Sequence, residues 1–320
     1  MTELGKVGTS GEQRVERALA SLLPEQAKGV RYEAAAFPVA SPSYHAVESS
    51  SFLVAPDGSG MTLFLRLAAK EVAELVDDRI SVAAAARAAE AGIAPGIIGY
   101  APSERALLMK RLDGWRSAKI DDLIGKEGWP RLIALQKTMA DAPALGRPWS
   151  VFEGIETIWS MLAPLEVPLP GDADWMLGWT RKIRQAIDAS GVDRRPAHGD
   201  PHSSNVMLGP DNAIALVDFD MAGDMDPYYQ LGTQMNELFQ FESQMKPLLE
   251  LHDGKFTEIA FSRCRLYAAA DDFYWALRSL LLSARSAAQG LEFLKYAGWR
   301  FLRCRMLLGQ PGFEERMRTI

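Results

Sequence analysis

Cysteine is nearly absent from this chain, at two of 320 residues, Cys264 and Cys304. Two thiols are too few for a disulfide framework or a four-thiolate zinc site, so a reducing compartment is expected. Glycine and proline, 26 and 18 residues, fall far below collagenous or low-complexity levels. There is no run rich in Lys and Arg, and 35 basic against 41 acidic side chains leave a formal charge of -6. Such a balance offers nucleic acid no basic surface. No window approaches the roughly 18 uninterrupted apolar residues of a membrane span. The opening Met1-Thr2-Glu3-Leu4-Gly5-Lys6 lacks the apolar stretch of a signal peptide. The expectation is a cytoplasmic protein with no nucleic-acid or membrane partner. What is plentiful is ordinary globular material, 48% hydrophobic and 24% charged, enough for one large domain or two smaller ones.

The chain changes texture along its length. Residues 12–23 show helical apolar spacing. Between about 30 and 67 the runs become short and β-rich. Ser51–Val54 and Met61–Leu65 flank Pro56-Asp57-Gly58-Ser59-Gly60, a hairpin signal. An Ala-rich helix follows from about Asp77 to Ala91, with Gly92 just past its end and Pro95 beyond. Gly96–Tyr100 and Ala106–Leu112 read as two further strands. After residue 113 the pattern is mainly helical, with one short hairpin at 205–218. The organisation predicted is α+β: a small strand-containing lobe over 1–112 and a larger helical lobe over 113–320.

The richest chemistry lies in His198-Gly199-Asp200-Pro201-His202-Ser203-Ser204-Asn205, followed by Leu216-Val217-Asp218-Phe219-Asp220. A four-residue turn at 209–212 pairs Leu208 with Ala213 and Asn205 with Leu216. Asp218 then returns beside Asn205, roughly 7 Å farther along the strand. Oxygen-bearing side chains on one rim suit a hard divalent cation such as Mg²⁺, which takes few protein ligands and leaves room for phosphate. Phosphoryl transfer needs the metal and phosphate held in place and a carboxylate to take the hydroxyl proton. Asp200 fits the base, and Asn205 and Asp218 fit the metal ligands. Taken singly, each residue is equally compatible with capping a turn; the joint spacing favours the chemistry. A zinc hydrolase built on His198, Asp200 and His202 is the rival, but it leaves Asn205 and the Asp-Phe-Asp unexplained.

His-x-Asp-x-x-x-x-Asn followed by a hydrophobic strand and Asp-Phe-Asp resembles the catalytic core of the aminoglycoside phosphotransferase and choline kinase group. The resemblance implies a two-lobed protein-kinase-like fold, Mg²⁺ and ATP as cofactors, and a small hydroxyl-bearing acceptor. It implies that His198 braces the catalytic loop. Gly223-Asp224-Met225-Asp226-Pro227 through Leu231 resembles the group's Gly-Asp-Pro-x-x-Asp-Leu segment, with Gln230 where the second Asp stands. In the first lobe, Met61–Leu67 resembles the strand whose cation meets the nucleotide phosphates, which makes Arg66 the candidate and Lys70 a weaker one. The next helix normally supplies a Glu to orient that cation, but this position is Val82. Glu71, Glu74 or Asp78 are the possible substitutes. The phosphate-covering loop, Ala40–His45, holds no glycine, leaving the N–H groups of Ser43 and Tyr44 for phosphate. These two departures keep an inactive nucleotide-binding pseudokinase as the alternative.

Ala106–Gly114 resembles the hinge strand, with adenine expected against main chain around Met109 to Arg111. Asp271-Asp272-Phe273-Tyr274-Trp275-Ala276-Leu277-Arg278 and Tyr296-Ala297 resemble the C-terminal region of choline and ethanolamine kinases. An ammonium group is held by aromatic faces and carboxylates, so Trp275, Glu237, Asp271 and Asp272 are the expected acceptor residues. Arg278 replaces an aromatic residue of that region and favours instead an acceptor bearing carboxylate or phosphate. The acceptor expected first is an amino alcohol, ahead of an aminoglycoside or sugar.

Overall fold

The computed structural model describes residues 2–5, 9–26, 29–35, 38–40, 46–56, 60–125, 127–286 and 291–320. The first part of the chain contributes β1 (Thr2–Glu3), α1 (Ser10–Leu22), β2 (Arg31–Ala34), β3 (Ser49–Ala55), β4 (Leu63–Ala68), α2 (Asp78–Glu90), β5 (Ile97–Ala101) and β6 (Ala106–Lys110). Its strands form one antiparallel sheet in the order β1-β2-β3-β4-β6-β5. The alternation in β4 is physical: Leu65 and Leu67 turn into the sheet-and-α1 core, and Arg66 between them faces the other way. Thr9 and Glu12 form a reciprocal capping box that starts α1, and the Asp77 carboxylate caps α2. Small alanines let α2 lie close to its neighbours, burying Ala84, Ala85 and Ala88.

The remainder contributes β7 (Arg116–Ser117), α3 (Ile120–Ile124), α4 (Gly128–Ala140), α5 (Val151–Leu162), α6 (Ala173–Ala189) and β8 (Arg195–Ala197). It continues through β9 (Val206–Leu208), β10 (Ile214–Leu216), β11 (Gly223–Met225), α7 (Pro227–Leu238), α8 (Glu242–Asp253), α9 (Glu258–Arg285), α10 (Phe293–Leu308) and α11 (Glu315–Thr319). Helix α9 is the axis of this lobe, buried from Ala260 through Leu282 and packed by α5, α7 and α10. Among the described residues, no helix is long and apolar enough to cross a membrane. The two-lobed, kinase-like α+β architecture is the one the motifs implied.

Two details differ from the sequence reading. Two additional pairs of short strands accompany the helices, β7 with β9 and β8 with β11. The β9–β10 register also shifts by one residue: Leu208 faces Ile214, and Leu216 faces Val206. Asp211 and Asn212 both take positive φ, 53° and 61°, and the Gly209 N–H bonds the Ala213 carbonyl, which widens the turn. The tip of the β3–β4 hairpin, Asp57 to Ser59, lies outside the described residues, while β3 and β4 pair as expected.

Candidate active site

Strand β8 delivers the chain into the loop 198–205, which is held from several sides. Gly199 has a φ of 81°, and a Cβ there would sit 2.3 Å from the Met221 carbonyl oxygen, so only glycine fits. Its N–H donates to Gln230 Oε1 at 3.1 Å. A neutral amide thus supports the loop from the position where the resembled segment carries its second Asp. His198 is buried, donates from Nε2 to the Val217 carbonyl at 2.8 Å, and accepts the Asp200 N–H at Nδ1, 3.3 Å away. Burial holds its pKa down, and the neutral ring ties the loop to the strand. Glu237, on α7, accepts from the Ser203 N–H at 3.0 Å and from its Oγ at 2.8 Å.

Both oxygens of Asp200 are engaged. Oδ2 accepts from Asn205 Nδ2 at 2.8 Å, and Oδ1 meets His202 Nδ1. Burial works against the charged carboxylate, but His202, His198 and Asn205 outweigh it and hold the pKa below the usual range. Burial also works against charge on His202, where the Asp200 and Glu237 carboxylates prevail and push it up to about 9. Sequence reasoning met His202 only as a zinc ligand; here it is an imidazolium paired with the candidate base.

Asn205 accepts the Val217 N–H at its carbonyl, 3.0 Å away, so Asp218 lies one residue past its partner, nearer than the two-residue offset expected. Asp218 itself has a φ of 66°, uncommon outside glycine and a form of strain found at functional sites. Across the cleft, Arg66 donates to Asp218 Oδ1 at 3.0 Å and to both oxygens of Asp220, at 3.0 and 2.6 Å. Burial and the carboxylates of Asp220, Asp200 and Glu48 raise the Asp218 pKa against the pull of Arg66. The expected substitutes for a helix glutamate are not the ones used. Asp78 is taken by Arg105, Glu74 by Arg285, and among the described residues the carboxylates in ion-pair reach of Arg66 are Asp218 and Asp220.

These residues fit a hard divalent cation. The Asn205 amide gives its N–H to Asp200, which leaves its oxygen as the acceptor, and Asp218 stands among carboxylates whose mutual repulsion a cation relieves. Two oxygen ligands and open positions suit Mg²⁺ better than a closed protein cage. His198 offers nothing to zinc, because the main chain engages both of its ring nitrogens.

The cleft is a cavity of about 460 Å³ whose walls include Asp200, Asn205, Asp218, Arg66, Met109 and Trp275. Arg111 also lines it, but its N–H bonds the Thr62 carbonyl and that of Lys110 bonds Gly96, so neither is available to adenine. Ser43 and Tyr44 lie outside the described residues. The acidic acceptor candidates do not converge on the cleft. Asp271 accepts from Tyr229 Oη at 2.7 Å and pairs with Arg300 at 2.5 Å; Asp272 is fully buried against Arg300, Arg303 and Asn236. Their charges are neutralised inside the lobe, and Glu237 is committed to Ser203. Arg278 does reach the wall: its guanidinium lies 5.3 Å from the Trp275 ring centre, donates to Tyr274 Oη at 2.6 Å and pairs with Glu48, the residue before β3.

The family model for the phosphotransferase enzyme family matches residues 45–267. No curated protein matches the sequence. Among solved structures, a choline/ethanolamine kinase family protein from Mesorhizobium loti aligns with a TM-score of 0.76 at 21% identity, over 97% of this chain and 98% of that one. The choline kinase LicA from Streptococcus pneumoniae aligns with a TM-score of 0.77 at 14% identity, over 94% and 99%. APH(2")-IIia, solved with GDP and kanamycin, gives 0.64 at 12% identity, over 91% and 98%.

Proposed function

The chain belongs to the phosphotransferase enzyme family, and from that premise we propose that it transfers the γ-phosphoryl group of Mg·ATP to a hydroxyl of a small polar acceptor. The observation that carries this reading is the convergence of Asp200, Asn205, Asp218 and Arg66 on one cleft, although 152 residues separate Arg66 from Asp218. Asp200, held ionised at neutral pH, orients the acceptor hydroxyl and takes its proton as the oxygen attacks the γ-phosphorus. The new bond is oxygen to phosphorus; the bond to the β–γ bridging oxygen breaks and ADP departs. Asn205 and Asp218 would hold Mg²⁺, which when bound neutralises phosphate charge. Arg66 contributes a fixed guanidinium toward the same phosphates. His198 braces the loop so that Asp200 keeps its place.

An amino alcohol of the choline or ethanolamine kind leads as acceptor, supported by the kinase neighbours and by Trp275 in the cleft wall. A second reading, an acceptor with a carboxylate or phosphate, is favoured by one observation: Arg278 already lies against the Trp275 ring that an ammonium group would use. The test is ATP consumption with Mg²⁺ against amino alcohols, aminoglycosides, sugars and anionic alcohols. Turnover with one class, lost in Asp200→Asn, supports the reading and selects the acceptor. Nucleotide binding without turnover on any class is the result expected of a pseudokinase.

A further inference from the structure

Arg66 is held in a way that the sequence pattern did not announce. Its guanidinium grips Asp220 with two parallel hydrogen bonds, 3.0 and 2.6 Å, and touches Asp218 with one of 3.0 Å. The side chains of Arg66 and Asp220 are 13% and 9% exposed, against 37% for Asp218. Asp220 is in turn fastened to helix α2, since Ser81 donates from Oγ to Asp220 Oδ1 at 3.0 Å, and Ser81 is itself buried. Three separate elements therefore meet at one carboxylate: strand β4, helix α2 and the segment after β10.

We propose that Asp220, anchored by Ser81, is the positioning residue for Arg66, taking the place of a carboxylate on α2. This rests on the phosphotransfer reading given above. The two grips on Arg66 are unequal. A bidentate guanidinium–carboxylate pair fixes both direction and rotation of the fork, whereas a single bond fixes neither. Asp218, the more exposed partner, is also the one expected to serve the metal. When it does, the Asp220 fork is what keeps Arg66 directed into the cleft. Ser81 adds the link that makes the orientation of α2 count: a shift of the helix moves Asp220, and Arg66 with it. Position 82 then has no need of an acid, and Val82 ceases to be evidence of a retired site.

The test is a double-mutant cycle read by calorimetric binding of Mg·ADP to the full-length protein, with KM for nucleotide and for acceptor measured alongside. Asp220→Asn keeps shape and removes charge; it should weaken Mg·ADP binding roughly tenfold and raise the nucleotide KM, leaving the acceptor KM nearly unchanged. Ser81→Ala should act in the same direction by a smaller factor, about two- to threefold, because it loosens the anchor of Asp220 and leaves the bidentate fork to Arg66 intact. In an Arg66→Ala background both effects should disappear, which a merely structural role would not produce. Circular dichroism checks that each variant folds, and if Asp220→Asn does not, Ser81→Ala carries the cycle. The proposal is overturned if either substitution costs the same factor with and without Arg66, or if both leave Mg·ADP affinity unchanged. A wild-type protein that binds no Mg·ADP overturns the phosphotransfer reading as well, whereas binding that is insensitive to both substitutions overturns the positioning role alone.

Discussion

At the scale of single residues, the site depends on a few charges held where water would otherwise screen them. Asp200 is the clearest case, since both its oxygens are bonded within the loop that presents it. Replacing it by Asn preserves shape and removes the proton acceptor of the proposed reaction, so kcat should fall roughly a hundredfold or more while Mg·ADP affinity, measured by calorimetry, changes little. His202 makes a separate prediction. Its pKa is raised from 6.5 to about 9, so the ion pair with Asp200 stabilises the fold fully below pH 6.5 and less as pH climbs toward 9. Thermal melts of the wild type and His202→Gln should therefore differ most at pH 6 and converge above pH 9. A gap that is constant across that range would mean the ring acts by packing alone. The spacing of His198, Asp200, Asn205 and Asp218 was legible in the sequence because each sits at a fixed offset in one short stretch. The contacts that join Arg66, Asp220 and Ser81 were not, because 154 and 139 residues separate Asp220 from Arg66 and Ser81, and no spacing reports such a contact.

At the scale of elements, α9 explains why the acidic acceptor candidates were misplaced. Its sequence shows aromatics and acids at helical spacing, which a ligand cage and a packed core produce alike. The helix is buried along most of its length, so its charges must be paired internally, and Arg300 of α10 reaches Asp271 and Asp272 at 2.5 and 3.0 Å. Arg300→Met should leave two buried carboxylates short of a partner and cost about 3–5 kcal/mol in denaturant unfolding. Asp272→Asn should lower the melting temperature with little change in acceptor KM; a large rise in that KM with the melt unchanged would return Asp272 to the acceptor site. The crossing of α7 and α9 is equally tight. A Cβ on Gly232 would lie 2.2 Å from the Cys264 carbonyl oxygen, too close for the two backbones to remain in place. Strands β8 and β11 escaped the sequence reading for a simpler reason: three-residue strands carry no periodicity, and no turn signal joins these two as one joins β9 and β10. The shifted hairpin register has a similar cause: the two left-handed residues of its turn set the count, and Asp211 and Asn212 did not declare that conformation in advance.

At the scale of the whole molecule, the cleft is closed on one side by a contact between the lobes, from Glu48 to Arg278, 230 residues apart. Arg278 is 1% exposed and rests against Trp275 and Tyr274, so its charge is compensated inside the fold. Glu48→Gln should weaken that compensation, lowering the melting temperature and raising the nucleotide KM together because the cleft walls would lose a common tie. The lobes themselves were foreseeable from the change of periodicity along the chain; the tie between them was not. If these two lobes together move a phosphoryl group onto a hydroxyl, phosphorus-31 NMR of protein, Mg·ATP and the acceptor panel reads the transfer. A new phosphomonoester resonance should grow with that of ADP for one acceptor class and be absent with Asp200→Asn. The same resonance produced undiminished by Asp200→Asn, or ADP and inorganic phosphate alone with every acceptor, would contradict the proposed reaction.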